Sequence, residues 1–256
     1  MKKNDENNRR AFIKSLSVGA CLLSGIPQAF AAVPGEKPRP RVSLKKDDTL
    51  LFQGDSITYW HRKPDMTGSN DSEALGSGYA LLTSAELLYK HPEKHLKIFN
   101  KGISGNTVKD LAARWDDDCL ALKPNVLSIL IGVNDFSMKM RDSNSGNAAT
   151  YKETYQKLLD RTVAALPEVK LIIAEPFAIN GLLHVTDSWF PSFDEYRQVA
   201  KELAEQYNAA FIPLQHIFEK ASQRAPASYW SGDGIHTTLA GAKLMANAWQ
   251  EVFNPA

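Results

Sequence analysis

Val126-Leu127-Ser128-Ile129-Leu130-Ile131 carries one small polar residue among six positions. A strand that apolar has no face to offer water, so it belongs in the middle of a sheet covered on both sides. The covering layers must be helices, and the rest of the chain supplies them. Short apolar runs at 49–52, 96–100, 169–174 and 210–213 read as further strands. Between them, residues 79–89, 108–122, 151–166 and 193–207 return apolar side chains every three or four positions, as helices do. A last helix begins near Thr237–Thr238 and turns Leu244, Met245, Ala248, Trp249 and Val252 inward. Strand–helix alternation of this kind predicts an α/β fold with a central parallel sheet.

The N-terminus reads differently. Arg9-Arg10-Ala11-Phe12-Ile13-Lys14 precedes a weakly apolar run ending at Ala29-Phe30-Ala31, a small-x-small cleavage site. Residues 1–31 therefore read as an export signal, and the paired arginines resemble the twin-arginine type. Asn8 stands where Ser or Thr is usual, which leaves an ordinary Sec route open. Val18-Gly19-Ala20-Cys21 is not taken as a lipoprotein box, because only six residues separate Lys14 from Cys21. The expected location is periplasmic or secreted. Residues 32–47, with Pro34, Pro38 and Pro40, read as a solvated lead-in, and 48–256 as the folded domain.

The first 31 residues hold five of the 30 basic and two of the 29 acidic side chains. The mature chain is thus near neutral, and no basic surplus points to nucleic acid or to an anionic membrane. No later apolar run approaches the roughly 20 residues that span a bilayer. Cys119 is the one cysteine left after cleavage, so no internal disulfide forms, and it reads as a buried helical thiol. No His/Asp cluster has metal-ligand spacing, and Asp116-Asp117-Asp118 reads as a solvated helix face. Oligomeric state is left open by the sequence.

Three long loops, 58–77, 136–150 and 177–191, would all leave the C-terminal ends of strands, where open α/β sheets bind ligands. They are the suspected substrate-binding segments. The first two are polar, whereas the third is apolar, with Leu182, Leu183, Trp189 and Phe190.

Four short motifs share that edge. Gly54-Asp55-Ser56 follows the first strand and offers a hydroxyl. Asn100-x-Gly102-x-x-Gly105 follows the second, and its glycines let the backbone approach a ligand closely. Neither it nor Gly76-Ser77-Gly78 completes a phosphate-loop or dinucleotide pattern. Gly132-x-Asn134-Asp135 ends the most apolar strand and offers a neutral amide donor. Asp233-x-x-His236 precedes the last helix and pairs a ring base with a carboxylate. The other histidines, His61, His91, His95, His184 and His216, have no comparable carboxylate in the sequence. Each motif alone also reads as an ordinary turn or cap. In this order they form the parts of acyl transfer: nucleophile, oxyanion donors, base and orienting acid.

The ordered set resembles the SGNH hydrolases, the GDSL-type lipase and acylhydrolase superfamily, from about Leu50 to Trp249. The resemblance implies a three-layer α/β/α flavodoxin-like fold, no metal or organic cofactor, and catalytic Ser56, Asp233 and His236. It implies an oxyanion hole from the N–H groups of Ser56 and Gly105 and the side chain of Asn134. One departure is Ile57-Thr58, where Leu is common after the serine. The expected activity is that of an exported serine esterase, removing small acyl groups such as acetyl from a carbohydrate or similar polyol. A lysophospholipase or thioesterase, favoured by the apolar third loop, and a non-catalytic glycan-binding protein on the same fold are the alternatives.

Overall fold

The computed structural model describes residues 40–253, so the proposed export signal lies outside the described residues, as does most of the lead-in. Five strands, β1 (Thr49–Gly54), β2 (Lys97–Asn100), β3 (Val126–Leu130), β4 (Lys170–Ala174) and β5 (Ala210–Ile212), form one sheet in the order β2-β1-β3-β4-β5. Every pairing is parallel. This is the flavodoxin-like order.

The longer helices are α1 (Tyr79–Lys90), α2 (Val108–Ala113), α3 (Val133–Arg141), α4 (Ala148–Ala165), α5 (Ser192–Gln206), α6 (Leu214–Ser222) and α7 (Leu239–Val252). The chain steps one way from β1 to β2 and the other way from β2 onward. Right-handed crossovers therefore put α1 on one face and α2, α4 and α5 on the other. The packing agrees: α7 lies on α1, while α4 lies against both α2 and α5.

Each face is pinned by a buried tryptophan. Trp249 of α7 donates its indole N–H to Ser128 Oγ at 2.8 Å. That bond explains the one polar residue in the apolar strand, since a buried hydroxyl needs a partner. Opposite it, Trp115 donates to Thr162 Oγ1 of α4 at 2.9 Å.

Several sequence-based expectations change. The helix expected over 108–122 breaks at Arg114, whose φ of −112° and ψ of 12° end α2, and short turns follow. Cys119 is buried as expected but stands between those turns. The loop expected at 136–150 begins inside α3, whose few inward residues, Val133 and Phe136, give a weak periodicity. Helix α6, entered directly from Pro213, adds an element to the expected strand–helix alternation. The described end of the lead-in is not wholly solvated, because Val42 is buried and its N–H donates to Val252 O at 2.8 Å. Among the described residues no helix is long and apolar enough to cross a membrane.

Candidate active site

Sheet order decides what meets at the edge. Because β1 lies between β2 and β3, the segments leaving those two strands flank the residue that leaves β1. That residue is Ser56, which opens a single helical turn, Ser56–Tyr59. Asp55 caps the turn, its Oδ1 accepting the Ile57 N–H at 2.9 Å. Gly54 is required by space, since a Cβ there would stand 2.4 Å from Leu130 O on β3.

The motif from the far end of the chain closes on this turn. Ser56 Oγ and His236 Nε2 are 2.8 Å apart, and His236 Nδ1 and Asp233 Oδ2 are 2.7 Å apart. Asp233 uses its other oxygen to accept the backbone N–H groups of Ile235, at 2.8 Å, and His236, at 2.7 Å. Burial alone would raise the Asp233 carboxyl, but the His236 ring and these N–H groups outweigh it and hold the group below its ordinary value. A carboxylate so fixed keeps the imidazole proton on Nδ1 and leaves Nε2 free to accept from Ser56.

The predicted oxyanion donors come to the same edge. Gly105 has φ +81°, a conformation that favours glycine, and nothing lies within 4 Å of where a Cβ would be. Its N–H therefore belongs to an open, exposed turn. Asn134 donates one Nδ2–H to Asn106 O at 3.0 Å, which fixes the amide and leaves its second N–H available. Asp135 accepts the Val108 N–H at 3.1 Å and so anchors the start of α2 to the start of α3.

Two carboxyls beneath the site are perturbed. Asp55 is buried, its Oδ2 has no partner, and burial pushes it up to about 7, with the charge of Asp135 adding to the rise. Burial also pushes Asp135 up to about 7.

Sequence reasoning missed several participants. Trp60 stacks on the His236 ring with centroids 5.5 Å apart. Buried Ser231 donates to His236 O at 2.7 Å and accepts the Gly234 N–H at 2.8 Å, locking the Asp-His loop. His184, read as lacking a carboxylate partner, stands with Nε2 3.9 Å from Asp233 Oδ2. Asp118, read as part of a solvated face, is paired with Arg114 at 2.9 Å and Lys101 at 3.1 Å. Only spacing was available as a signal: Trp60 lies one helical turn beyond Ser56, and Ser231 two residues before Asp233. Among the described residues no group of His, Cys, Asp and Glu has the arrangement of a metal site.

The three suspected loops differ in character. A groove of about 510 Å³ adjoins the segment that follows Gly105, lined by Thr107, Lys109, Asp110, Asn144, Asn147 and Thr150 among others. It takes in much of the second loop. In the third loop Phe177, Ala178, Ile179, Val185 and Trp189 are buried, and only Leu183 is a large exposed apolar side chain.

Comparison with known proteins places the chain in a family. The profile of the GDSL-like lipase/acylhydrolase family matches residues 52–244. An acetylxylan esterase from Geobacillus stearothermophilus is 36% identical over 211 residues, covering 81% of this chain and 94% of that protein. The crystal structure of an acetylxylan esterase from that organism superposes with a TM-score of 0.76 at 32% identity, over 84% of this chain and 98% of that one. A candidate GDSL-like lipase from Parabacteroides merdae superposes with a TM-score of 0.81 at 44% identity, over 83% of this chain and 98% of that one.

Proposed function

The chain belongs to the GDSL-like lipase/acylhydrolase family and is a carboxylic ester hydrolase of the SGNH type; on that premise we propose that it removes small acyl groups, acetyl foremost, from a carbohydrate or similar polyol through Ser56, His236 and Asp233. One observation carries the catalytic part of the reading. Ser56 Oγ, His236 and Asp233 Oδ2 form an unbroken pair of contacts of 2.8 and 2.7 Å.

Ser56 Oγ attacks the ester carbonyl carbon as His236 Nε2 takes its proton. The negative oxygen of the tetrahedral intermediate receives the N–H groups of Ser56 and Gly105 and the free Nδ2–H of Asn134. As the C–O bond to the alcohol breaks, His236 returns the proton to the departing oxygen. Water then repeats the sequence on the acyl-Ser56 ester, releasing the acid and restoring the serine.

Two features support a small acyl group on a polyol. The groove beside the Asn106–Thr107 segment presents the hydroxyl, amide and charged groups of Thr107, Lys109, Asp110, Asn144, Asn147 and Thr150, which suit the many hydroxyls of a sugar, alongside apolar surface from Val108 and Met138. Most apolar residues of 177–191 are spent inside the fold, which leaves that loop less surface for a long acyl chain than its sequence suggests, although Ile179 and Phe190 still line a cavity of about 410 Å³. The acetylxylan esterase relative points the same way. Family membership also displaces the non-catalytic alternative. The reading includes export through residues 1–31, tested by the N-terminal residue of the protein recovered outside the cytoplasm.

The functional test is an ester panel run on wild type and Ser56→Ala together: p-nitrophenyl esters of increasing chain length, acetylated xylan and a lysophospholipid. The expected result is fastest turnover of acetate esters, acetate release from the glycan, and no turnover by a folded Ser56→Ala. A sharp optimum at long acyl chains with no acetate released overturns the substrate assignment. Undiminished turnover by Ser56→Ala removes that residue from the mechanism.

A further inference from the structure

A half-buried cation holds the oxyanion segment from outside the site. Arg114 follows α2 directly, and its side chain is 16% exposed. Its Nε donates to Asn106 Oδ1 at 2.8 Å. Its Nη1 donates to Gln53 Oε1 at 3.0 Å and to Asp118 Oδ2 at 2.9 Å. Its Nη2 reaches Gly54 O at 3.5 Å.

The partners fall in an informative order. Gln53 and Gly54 end β1, immediately before the turn that carries Ser56. Asn106 follows Gly105, and its carbonyl oxygen is the group that receives the Asn134 amide at 3.0 Å. One side chain thus joins the strand behind the nucleophile to the residue lying between two oxyanion donors. Its contact with Asp118 does not account for the others, since Asp118 has Lys101 as a second cation at 3.1 Å. The fan of donors needs a guanidinium, because a lysine ammonium is a point charge that cannot reach Asn106, Gln53 and Gly54 together.

We propose that Arg114 is a positioning residue for ester hydrolysis: through Asn106 it sets where the Gly105 N–H and the Asn134 amide stand relative to Ser56. The inference rests on the roles given above to Ser56, Gly105 and Asn134. Donors aimed at a developing charge matter most in the transition state, so loosening them lowers kcat and leaves KM for a small ester nearly alone.

The test measures kcat and KM for p-nitrophenyl acetate, with thermal midpoints, in Arg114→Ala, Arg114→Lys, Asn106→Ala, Asn134→Ala and the Arg114→Ala/Asn134→Ala double variant. Arg114→Ala and Asn106→Ala should each lower kcat about tenfold to hundredfold, as a displaced catalytic group does, with KM changed by no more than about twofold. Lysine should restore little of the loss. In the Asn134→Ala background, Arg114→Ala should cost a clearly smaller factor than in wild type, because part of what it positions is already gone.

Full additivity of the two substitutions overturns the proposal, as does unchanged kcat in a folded Arg114→Ala. If Arg114→Ala does not fold, Asn106→Ala decides: unchanged kcat there overturns it and the predicted loss supports it. A wild type with no esterase activity strikes instead at the underlying reading, and is seen before any variant is compared.

Discussion

The indole of Trp60 lies over the imidazole of His236, with ring centroids 5.5 Å apart and planes inclined by 23°. The two residues are distant in sequence, yet Trp60 ends the turn that begins with Ser56, so Ser56 and the His236 ring that faces it are braced by one short segment. The stack holds the ring against rotation, and an aromatic face also favours the imidazolium formed in the transition state. Such contacts are worth about 0.5–1.5 kcal/mol, so Trp60→Ala should lower kcat about twofold to tenfold. Trp60→Phe, which keeps an aromatic face, should lose less. Steady-state kinetics on a short-chain ester checks both, and equal losses in the two variants would rule out stacking as the cause.

Gly54 sets how closely β1 and β3 approach behind Ser56. A Cβ at this position would meet Thr58 Oγ1 at 2.3 Å and Leu130 O at 2.4 Å. Turning the Thr58 hydroxyl away would break its buried hydrogen bond to Tyr79, and Leu130 O belongs to the central strand and cannot move aside. Gly54→Ala should therefore cost about 1–3 kcal/mol of stability, as overpacking does, and should lower activity by displacing Ser56. Thermal unfolding alongside kinetics tests this. A variant as stable as wild type would show that the strands relax at no cost.

Asp55 makes stability depend on pH in a definite sense. Its carboxyl is raised from 3.8 to about 7 in the fold, chiefly by burial, with the charge of Asp135 adding to the rise. Between those values the folded state keeps a proton that the unfolded state has lost. Stability therefore falls as pH rises from about 4 to about 7, and the cost is fully present above that. Asn cannot ionise and retains an oxygen for the Ile57 N–H. Asp55→Asn should match wild type near pH 4 and exceed it at pH 8, by an amount on the order of 4 kcal/mol. Urea unfolding at the two pH values measures the difference. A difference that does not change with pH would mean the folded-state carboxyl is not raised.

The fold was largely legible because its determinants are local. The apolar run of β3 and the helical periodicities of α1, α4, α5 and α7 each reflect burial of a continuous stretch. The catalytic candidates were legible for a related reason: each motif ends a strand or precedes a helix, where a turn leaves its own chemical mark. The supports of those residues were not. Arg114 reaches Gln53 on β1, and Trp60 covers His236 of the loop before α7, by contacts between segments far apart in sequence that meet only in the folded chain. Nothing in the spacing of Arg114 distinguishes it from any arginine at a helix end. Helix α3 was missed because its outward side, with Met138 and Met140 exposed, carries no periodic pattern.

Asp233 divides its two oxygens between different tasks, and that division predicts the effect of a near-isosteric change. Oδ1 accepts two backbone N–H groups, from Ile235 and His236, while Oδ2 faces His236 Nδ1. In Asp233→Asn the single oxygen must stay with the two N–H donors, because an amide nitrogen there would face them as a third donor. The NH₂ group then points at His236 Nδ1, which can accept only if its proton moves to Nε2. A proton on Nε2 faces Ser56 and removes the base. The loop should keep its shape while kcat falls by about 10⁴, the scale seen when a triad histidine is held in the wrong tautomer. Asp233→Ala leaves Nδ1 unopposed but frees the Ile235 and His236 N–H groups, so it should lose loop stability as well as activity. Kinetics paired with thermal unfolding separates the two. If Asp233→Asn retained near wild-type kcat, Asp233 would not be the residue that orients His236.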